Sequence, residues 1–327
     1  MMNNFSKYSV LIIGLGNIGM GYDLHQKSKE IILTHAKSFN LNHNFKLVGG
    51  VDLRVKTIKI FEKIYKVKGF TNIKEAMISL RPDLVIIASP TELHYVNIKE
   101  VFEYGEPKIV LCEKPLSYKL KESQEIVNLF KNKETRLFVN YFRRVLPANL
   151  EIFSLFNSNE FSVPFKGVCI YSKGLYNSAS HFINLFQFFF GEVKDIKIIN
   201  KNNNKIKLKF DPEPDFQLNF QNGKIVFISN DNSLFINNSE LIMKNGRLSF
   251  EEGGNKVLWK GIKKDKRFSG YEVLGDNSRL FNNDFNKIQY YVAEQIHLAM
   301  QSRKNSLCTF QEALNTQEIM EQIQIKL

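Results

Sequence analysis

The sequence predicts an α/β chain of two domains: an N-terminal doubly wound parallel sheet, then an α+β domain with a largely antiparallel, open sheet. Three observations carry this. A β-branched apolar run, Val10 to Ile13, breaks into Gly14-Leu15-Gly16-Asn17-Ile18-Gly19. Strand and helix patterns then alternate five times, which dictates a parallel sheet covered on both faces. From about Phe142 strands come in runs with the helices set apart, the mark of an α+β arrangement. The expected domains are therefore residues 1–141 and 142–327, with the last helix able to pack back on the first domain.

Each element of the first domain has a local reason. After the strand, the spacing G-x-G-x-x-G suits a dinucleotide. Gly14 allows the tight turn, Gly16 lets backbone N–H groups approach a pyrophosphate, and Gly19 lets the next helix pack closely. The phosphates then meet a helix N-terminus. Strand Phe45 to Val51 ends in Asp52, which can accept from an adenosine ribose and repel a 2′-phosphate, favouring NAD over NADP. The separation exceeds the roughly 20 residues usual for that acid. Tyr22 to Leu33 is read as an insert, with a helix resuming near Thr34.

Leu53 to Tyr65 has helical spacing, and Ile73 to Leu80 forms a second helix stopped by Pro82. Asp83 to Ala88 reads as a buried strand. Ser89-Pro90-Thr91 turns the chain, and Thr91 is placed to cap the helix Glu92 to Tyr104. Strand Ile109 to Cys112 ends in Glu113-Lys114-Pro115. Helix Ser117 to Asn132 and strand Leu137 to Asn140 complete the domain. Ligands of such sheets bind beyond the carboxyl ends of the strands. Gly14, Asp52, Ser89-Pro90-Thr91, Glu113-Lys114-Pro115 and Asn140-Tyr141 all fall there.

In the second domain a helix, Pro147 to Phe156, leads to strand Lys166 to Ser172. The polar turn Gly174 to Ser180 follows, then helix His181 to Phe190, stopped by Gly191. Strands follow at Val193 to Asn200 and Lys205 to Phe210, then a hairpin at Asn222-Gly223 and a turn at Asn245-Gly246. Helices Asp284 to Gln301 and Phe310 to Ile325 close the chain. An open apolar sheet face needs cover, which predicts a homodimer or homotetramer.

Composition limits the function classes. With 327 residues, 43% of them apolar and 28 of them Phe, each domain can bury a core. No apolar run approaches the ~20 residues of a membrane span, and Val10 to Leu15 is too short for the core of a signal peptide. Three scattered cysteines show no metal spacing and suit a reducing compartment, so a cytoplasmic, metal-free protein is expected. The net charge of +12 is spread over most elements without a nucleic-acid-binding module. No nucleic-acid or membrane partner is expected, and the sign favours an anionic small substrate.

Together the residues resemble the Gfo/Idh/MocA family of sugar oxidoreductases. The resemblance rests on GLGNIG at 14–19, GGVD at 49–52, SPTELH at 89–94, EKP at 113–115, NYFRR at 140–144 and SHFIN at 180–184. It runs in order through both domains, and the closing helix, TFQEALNTQEIMEQI, is also similar. The nearest likeness is to members linked with bacterial surface-polysaccharide biosynthesis.

The resemblance implies a Rossmann first domain, bound NAD and two catalytic residues. Lys114 would lie between nicotinamide and sugar hydroxyl, where an ammonium can hydrogen-bond the reacting oxygen and a free amine can take its proton. An ordinary lysine near about 10.4 must be lowered by burial or a nearby positive charge to do so. The bland reading is a surface lysine beside a proline turn. His181, opening its helix, would be the acid/base partner. Otherwise it is a packed or capping histidine. Asn184, one turn on, could orient the ring, and Asn177 could hold the sugar.

Many family members carry carboxylates where Asn177 and Asn184 stand. An amide cannot take a proton, so a relay through either position is excluded. Tyr141, Arg143 and Arg144 are the remaining substrate candidates, the arginines holding an anion or else forming an interdomain salt bridge. The cofactor set is Gly14, Gly16, Asn17, Ile18, Gly19, Asp52, Arg54, Ser89, Pro90, Thr91, His94, Glu113 and Lys114. His25, His35, His43 and His297 receive no role. The implied activity is NAD-dependent hydride transfer at a hydroxyl carbon of a nucleotide-linked or acidic sugar. The alternatives are an NAD-recycling epimerase or lyase, and an inactive NAD-binding regulatory subunit.

Overall fold

The structure is a computed structural model that describes residues 7–131, 133–201, 211–230 and 234–327. In chain order the first run comprises β1 (Tyr8–Ile13), α1 (His35–Leu41), β2 (Phe45–Val51), α2 (Val55–Tyr65), β3 (Lys68–Phe70), α3 (Ile73–Leu80), β4 (Leu84–Ile87), α4 (His94–Tyr104), β5 (Ile109–Cys112), α5 (Leu120–Phe130) and β6 (Arg136–Val139). The second comprises α6 (Pro147–Asn157), β7 (Phe165–Tyr171), α7 (Ser180–Phe190), β8 (Val193–Asn200), β9 (Asp215–Phe220), β10 (Gly223–Ser229), β11 (Asn238–Met243), β12 (Gly246–Glu251), β13 (Lys256–Lys264), β14 (Glu272–Leu274) and β15 (Arg279–Asn282). The chain then adds α8 (Ile288–Met300), β16 (Cys308–Thr309) and α9 (Phe310–Ile325).

Two compact units result: residues up to Val145 together with Phe285–Leu314, and Leu146–Asp284 together with Asn315–Leu327. This differs from a single break at 141/142, because residues 285–314 cluster with the first unit. An amphipathic helix pattern shows that α8 has an apolar face. It does not show which core, that of the chain's first half or the one next to it, that face joins.

The first unit holds a sheet ordered β16-β6-β5-β4-β1-β2-β3, parallel except for the two-residue β16. Side chains alternate across it. Val10, Ile12, Leu84, Ile86, Ile109 and Leu111 share one core with Phe39 of α1 and Val292 and Ile296 of α8. Leu11, Ile13, Val85, Ile87, Val110 and Cys112 share the other with Met77 of α3, Ile98 of α4 and Ile126 of α5. Burial on both faces is what makes these strands read as continuous apolar runs. The short β3 is absent from the sequence reading: three residues give too little alternation to stand out.

The second unit holds a sheet ordered β14-β13-β12-β11-β7-β10-β9-β8, with β15 also on β13. Its pairings are antiparallel apart from β7 with β10. One face is buried beneath α6, α7 and the end of α9, through Phe182, Phe186, Phe216, Phe227, Phe250 and Ile323. The opposite face leaves Val168, Ile170, Ile228 and Ile242 exposed. The expected strand Lys205 to Phe210 lies outside the described residues.

Candidate functional site

The glycine turn follows β1. Gly14 has φ +95°, and a Cβ there would stand 2.4 Å from the Ser89 nitrogen. A Cβ on Gly19 would stand 2.0 Å from the Gly14 carbonyl oxygen. Both positions therefore demand glycine. At Gly16 nothing lies within 4 Å of that point, so the backbone there is open on one side. Residues Asn17–Gly21 form a single π-type turn, with the N–H groups of Met20 and Gly21 donating to the Gly16 carbonyl. The helix of the usual pattern is deferred to the short α1, whose cap Thr34 stands where the sequence places the helix resuming. Buried Asp23 staples the base of the intervening insert: it accepts from the N–H groups of Leu33 and Thr34 and from the Thr34 hydroxyl at 2.6 Å.

Asp52, at the end of β2, accepts from the Leu15 N–H at 3.0 Å and from the Arg54 N–H and guanidinium. Burial raises its pKa, but the Arg54 and Leu15 donors outweigh burial and hold it below the usual carboxylate range. At the end of β4, Thr91 does not cap α4. It lies in a short 3-10 turn, Thr91–Leu93, and the α-helix starts at His94 with no side-chain cap. His94 is fully buried, its ring nitrogens 2.9 Å from the Pro115 carbonyl and 3.0 Å from the Ser89 carbonyl. It clamps two strand-end loops together. Burial lowers its pKa, against the pull of those two carbonyls.

At the end of β5 the Glu113 N–H donates to Ile87, and the Lys114-Pro115 bond is cis. Glu113 Oε1 takes two donors: His35 Nε2 at 2.8 Å and Asn140 Nδ2 at 2.7 Å. Desolvation alone would raise the Glu113 pKa. His35, Asn140 and the nearby Lys114 charge outweigh it and keep the group a carboxylate. His35, which has no local motif, thus joins the Glu113-Lys114-Pro115 turn through a contact 78 residues away in sequence. Only the fold could reveal that.

The remaining candidates sit as follows. Arg144 is buried and paired with Glu312 at 2.6 Å within the first unit. Arg143 lies over the Phe142 and Phe285 rings. Tyr141 is buried. In the second unit His181 is the second residue of α7 and is buried at 9% exposure. Asn184 is buried and donates to the Thr316 hydroxyl at 2.9 Å, which gives its amide a packing partner on α9. Asn177 is exposed, and its N–H, like that of Tyr176, donates to Asp211. Asp211 was not a sequence candidate. It closes the turn before α7.

Among the described residues no helix is long and apolar enough to cross a membrane, and no group of three or more His, Cys, Asp or Glu could hold a metal.

The geometry fits a nucleotide: an open glycine backbone, an acid at the end of the neighbouring strand, and loops converging at the carboxyl edge of a parallel sheet. Comparison with known proteins agrees. Residues 8–141 match the model of the oxidoreductase family with an NAD-binding Rossmann fold, Gfo/Idh/MocA. Glucose-6-phosphate 3-dehydrogenase of Bacillus subtilis is 28% identical over 130 residues, 40% of this chain and 36% of that protein. Matches to curated relatives span between 21% and 41% of those proteins' length.

Among solved structures, the WlbA dehydrogenase of Bordetella pertussis, in complex with NADH and UDP-GlcNAcA, superposes with a TM-score of 0.73. It is 15% identical, over 97% of this chain and 94% of that one. Gal80p of Saccharomyces cerevisiae, in a super-repressor mutant form, superposes with a TM-score of 0.77 at 13% identity, over 98% and 95%. At such identities the likeness establishes the fold.

Proposed function

Since residues 8–141 match the model of the Gfo/Idh/MocA oxidoreductase family, with its NAD-binding Rossmann fold, we propose that this chain is an NAD-dependent sugar dehydrogenase. Its substrate is a nucleotide-linked or acidic sugar, as is the UDP-GlcNAcA bound to WlbA, and its place is in surface-polysaccharide biosynthesis. Hydride acceptance or donation is what NAD supplies when bound. The chain's own residues position and manage the proton. Open backbone at Gly16 receives the pyrophosphate, and Asp52 accepts from the ribose. Lys114 hydrogen-bonds the reacting sugar oxygen and exchanges its proton. His181 is assigned the second acid/base role on the SHFIN resemblance. A homo-oligomer through the exposed sheet face of the second unit belongs to the same proposal.

One observation carries the reading. Lys114 follows a carboxylate held by two donors, on the same strand edge as the glycine turn. The test is NAD titration by calorimetry, with turnover on a panel of nucleotide sugars, for wild type and Lys114→Ala. Expected is retained NAD affinity with turnover lowered about a hundredfold or more. Undiminished turnover in the variant removes Lys114 from the mechanism, and absent NAD binding overturns the reading as a whole.

A regulatory reading has its own support: amides at Asn177 and Asn184, and a fold shared with Gal80p. NAD binding by the wild type without turnover of any sugar in the panel favours it.

A further inference from the structure

We propose that His35 is a positioning residue for the Lys114 turn, acting through Glu113; this rests on the catalytic reading of Lys114 given above. His35 is the first residue of α1 and is fully buried. Because a carboxylate only accepts, Nε2 carries the hydrogen in the 2.8 Å contact with Glu113 Oε1. Asn140 donates to the same oxygen and also reaches Gln289 Oε1 at 3.3 Å. Two donors from two elements converge on one oxygen and fix the orientation of the carboxylate. Glu113 Oε2 takes no hydrogen bond among the described residues, and the side chain stays 14% exposed.

Packing alone does not explain this histidine. Its Nδ1 is buried with no hydrogen-bond partner among the described residues. An orphaned polar atom costs about 1–3 kcal/mol. The ring also stacks near Phe39, centroids 6.5 Å apart, in surroundings that an apolar side chain would fill without that cost. What the histidine adds is the Nε2–H. Its backbone is itself held: Asp23 takes both the N–H and the hydroxyl of Thr34, the preceding residue. A continuous chain of contacts therefore runs from the base of the insert, through His35, to the carboxylate beside Lys114.

The test compares His35→Leu, which removes the donor, with His35→Gln, which keeps one. Melting temperature, NAD affinity, turnover and the pH midpoint of Lys114 acylation, read by peptide mass, are measured on each purified protein. For His35→Leu the expectation is kcat lowered about tenfold to a hundredfold, with NAD affinity within about twofold. The Lys114 acylation midpoint should move by about half a pH unit or more, with substantial recovery of both readouts in His35→Gln. Should His35→Leu fail to fold, His35→Asn, too short to reach Oε1, is read the same way. An unmoved midpoint with unchanged kcat overturns the proposal. So does an equal loss in the Leu and Gln variants that simply tracks their melting temperatures. If the wild type turns over no sugar, the dehydrogenase reading fails separately, and the acylation midpoint still decides the role of His35.

Discussion

The two units bury their sheets differently. In the first, helices cover both faces, and the polar side chains Asp52, His94, Glu113 and Asn140 meet neighbours where strands end in loops. In the second, one face is filled by phenylalanines and the other is left bare, with Ile170 of β7 directly opposite Ile228 of β10. The polar residues singled out from sequence fare differently too. Those of the first unit meet one another, as Asp52 does the glycine turn and Glu113 does Asn140. Those of the second meet scaffold, as Asn184 does Thr316. A parallel sheet concentrates function at one edge, whereas an open antiparallel sheet divides its surface between core and partner.

The sharpest way to break this contrast is to charge the bare face. Ile170→Lys with Ile228→Lys leaves the buried face untouched, because both side chains point away from the phenylalanine core. The expected result is an oligomer that falls to monomer by light scattering, since like charges then oppose each other across the interface. A wild type that is already monomeric, or a variant of unchanged mass, removes the oligomer proposal.

Next in size is the filled face. Phe186 is fully buried among Phe182, Phe190, Phe227 and Phe250, with ring centroids 5.9 to 6.4 Å away. Phe186→Ala should cost about 3–5 kcal/mol in urea unfolding of the second unit, because the cavity cannot close around rigid rings. A loss below about 1 kcal/mol would mean that this core repacks freely. NAD affinity of the folded variant should stay at the wild-type value.

What could be read in advance follows from range in sequence. The glycine turn, Asp52 and Glu113-Lys114-Pro115 are legible because each is a few residues long and ends a strand whose apolar run announces it. α9 is legible to the residue, its expected and observed bounds both being Phe310 and Ile325. The partners are another matter. His35 meets Glu113, Arg144 meets Glu312 and Asp211 meets the turn before α7, across 78, 168 and 34 or 35 residues. No periodicity encodes such pairs. Thr91 shows the opposite failure: its residue type favours a cap, but the 3-10 turn places it inside, ahead of a helix that starts uncapped.

The smallest effect concerns how the first unit reads its nucleotide. Asp52 and Arg54 are bound to each other, yet they are unequal: the Asp52 side chain is 8% exposed, the Arg54 side chain 64%. Water screens the arginine, so Arg54→Ala should change stability by about 0.5 kcal/mol or less, with NAD affinity within about twofold. The carboxylate also holds the Leu15 N–H inside the glycine turn, so replacing it removes the proposed ribose acceptor and disturbs the turn. Asp52→Asn should lower NAD affinity about tenfold and narrow the gap between NAD and NADP, because the charge that repels a 2′-phosphate is gone. Calorimetry with both nucleotides on both variants decides the matter. If Arg54→Ala weakens NAD as much as Asp52→Asn does, the exposed guanidinium carries the recognition and the acid merely holds it in place.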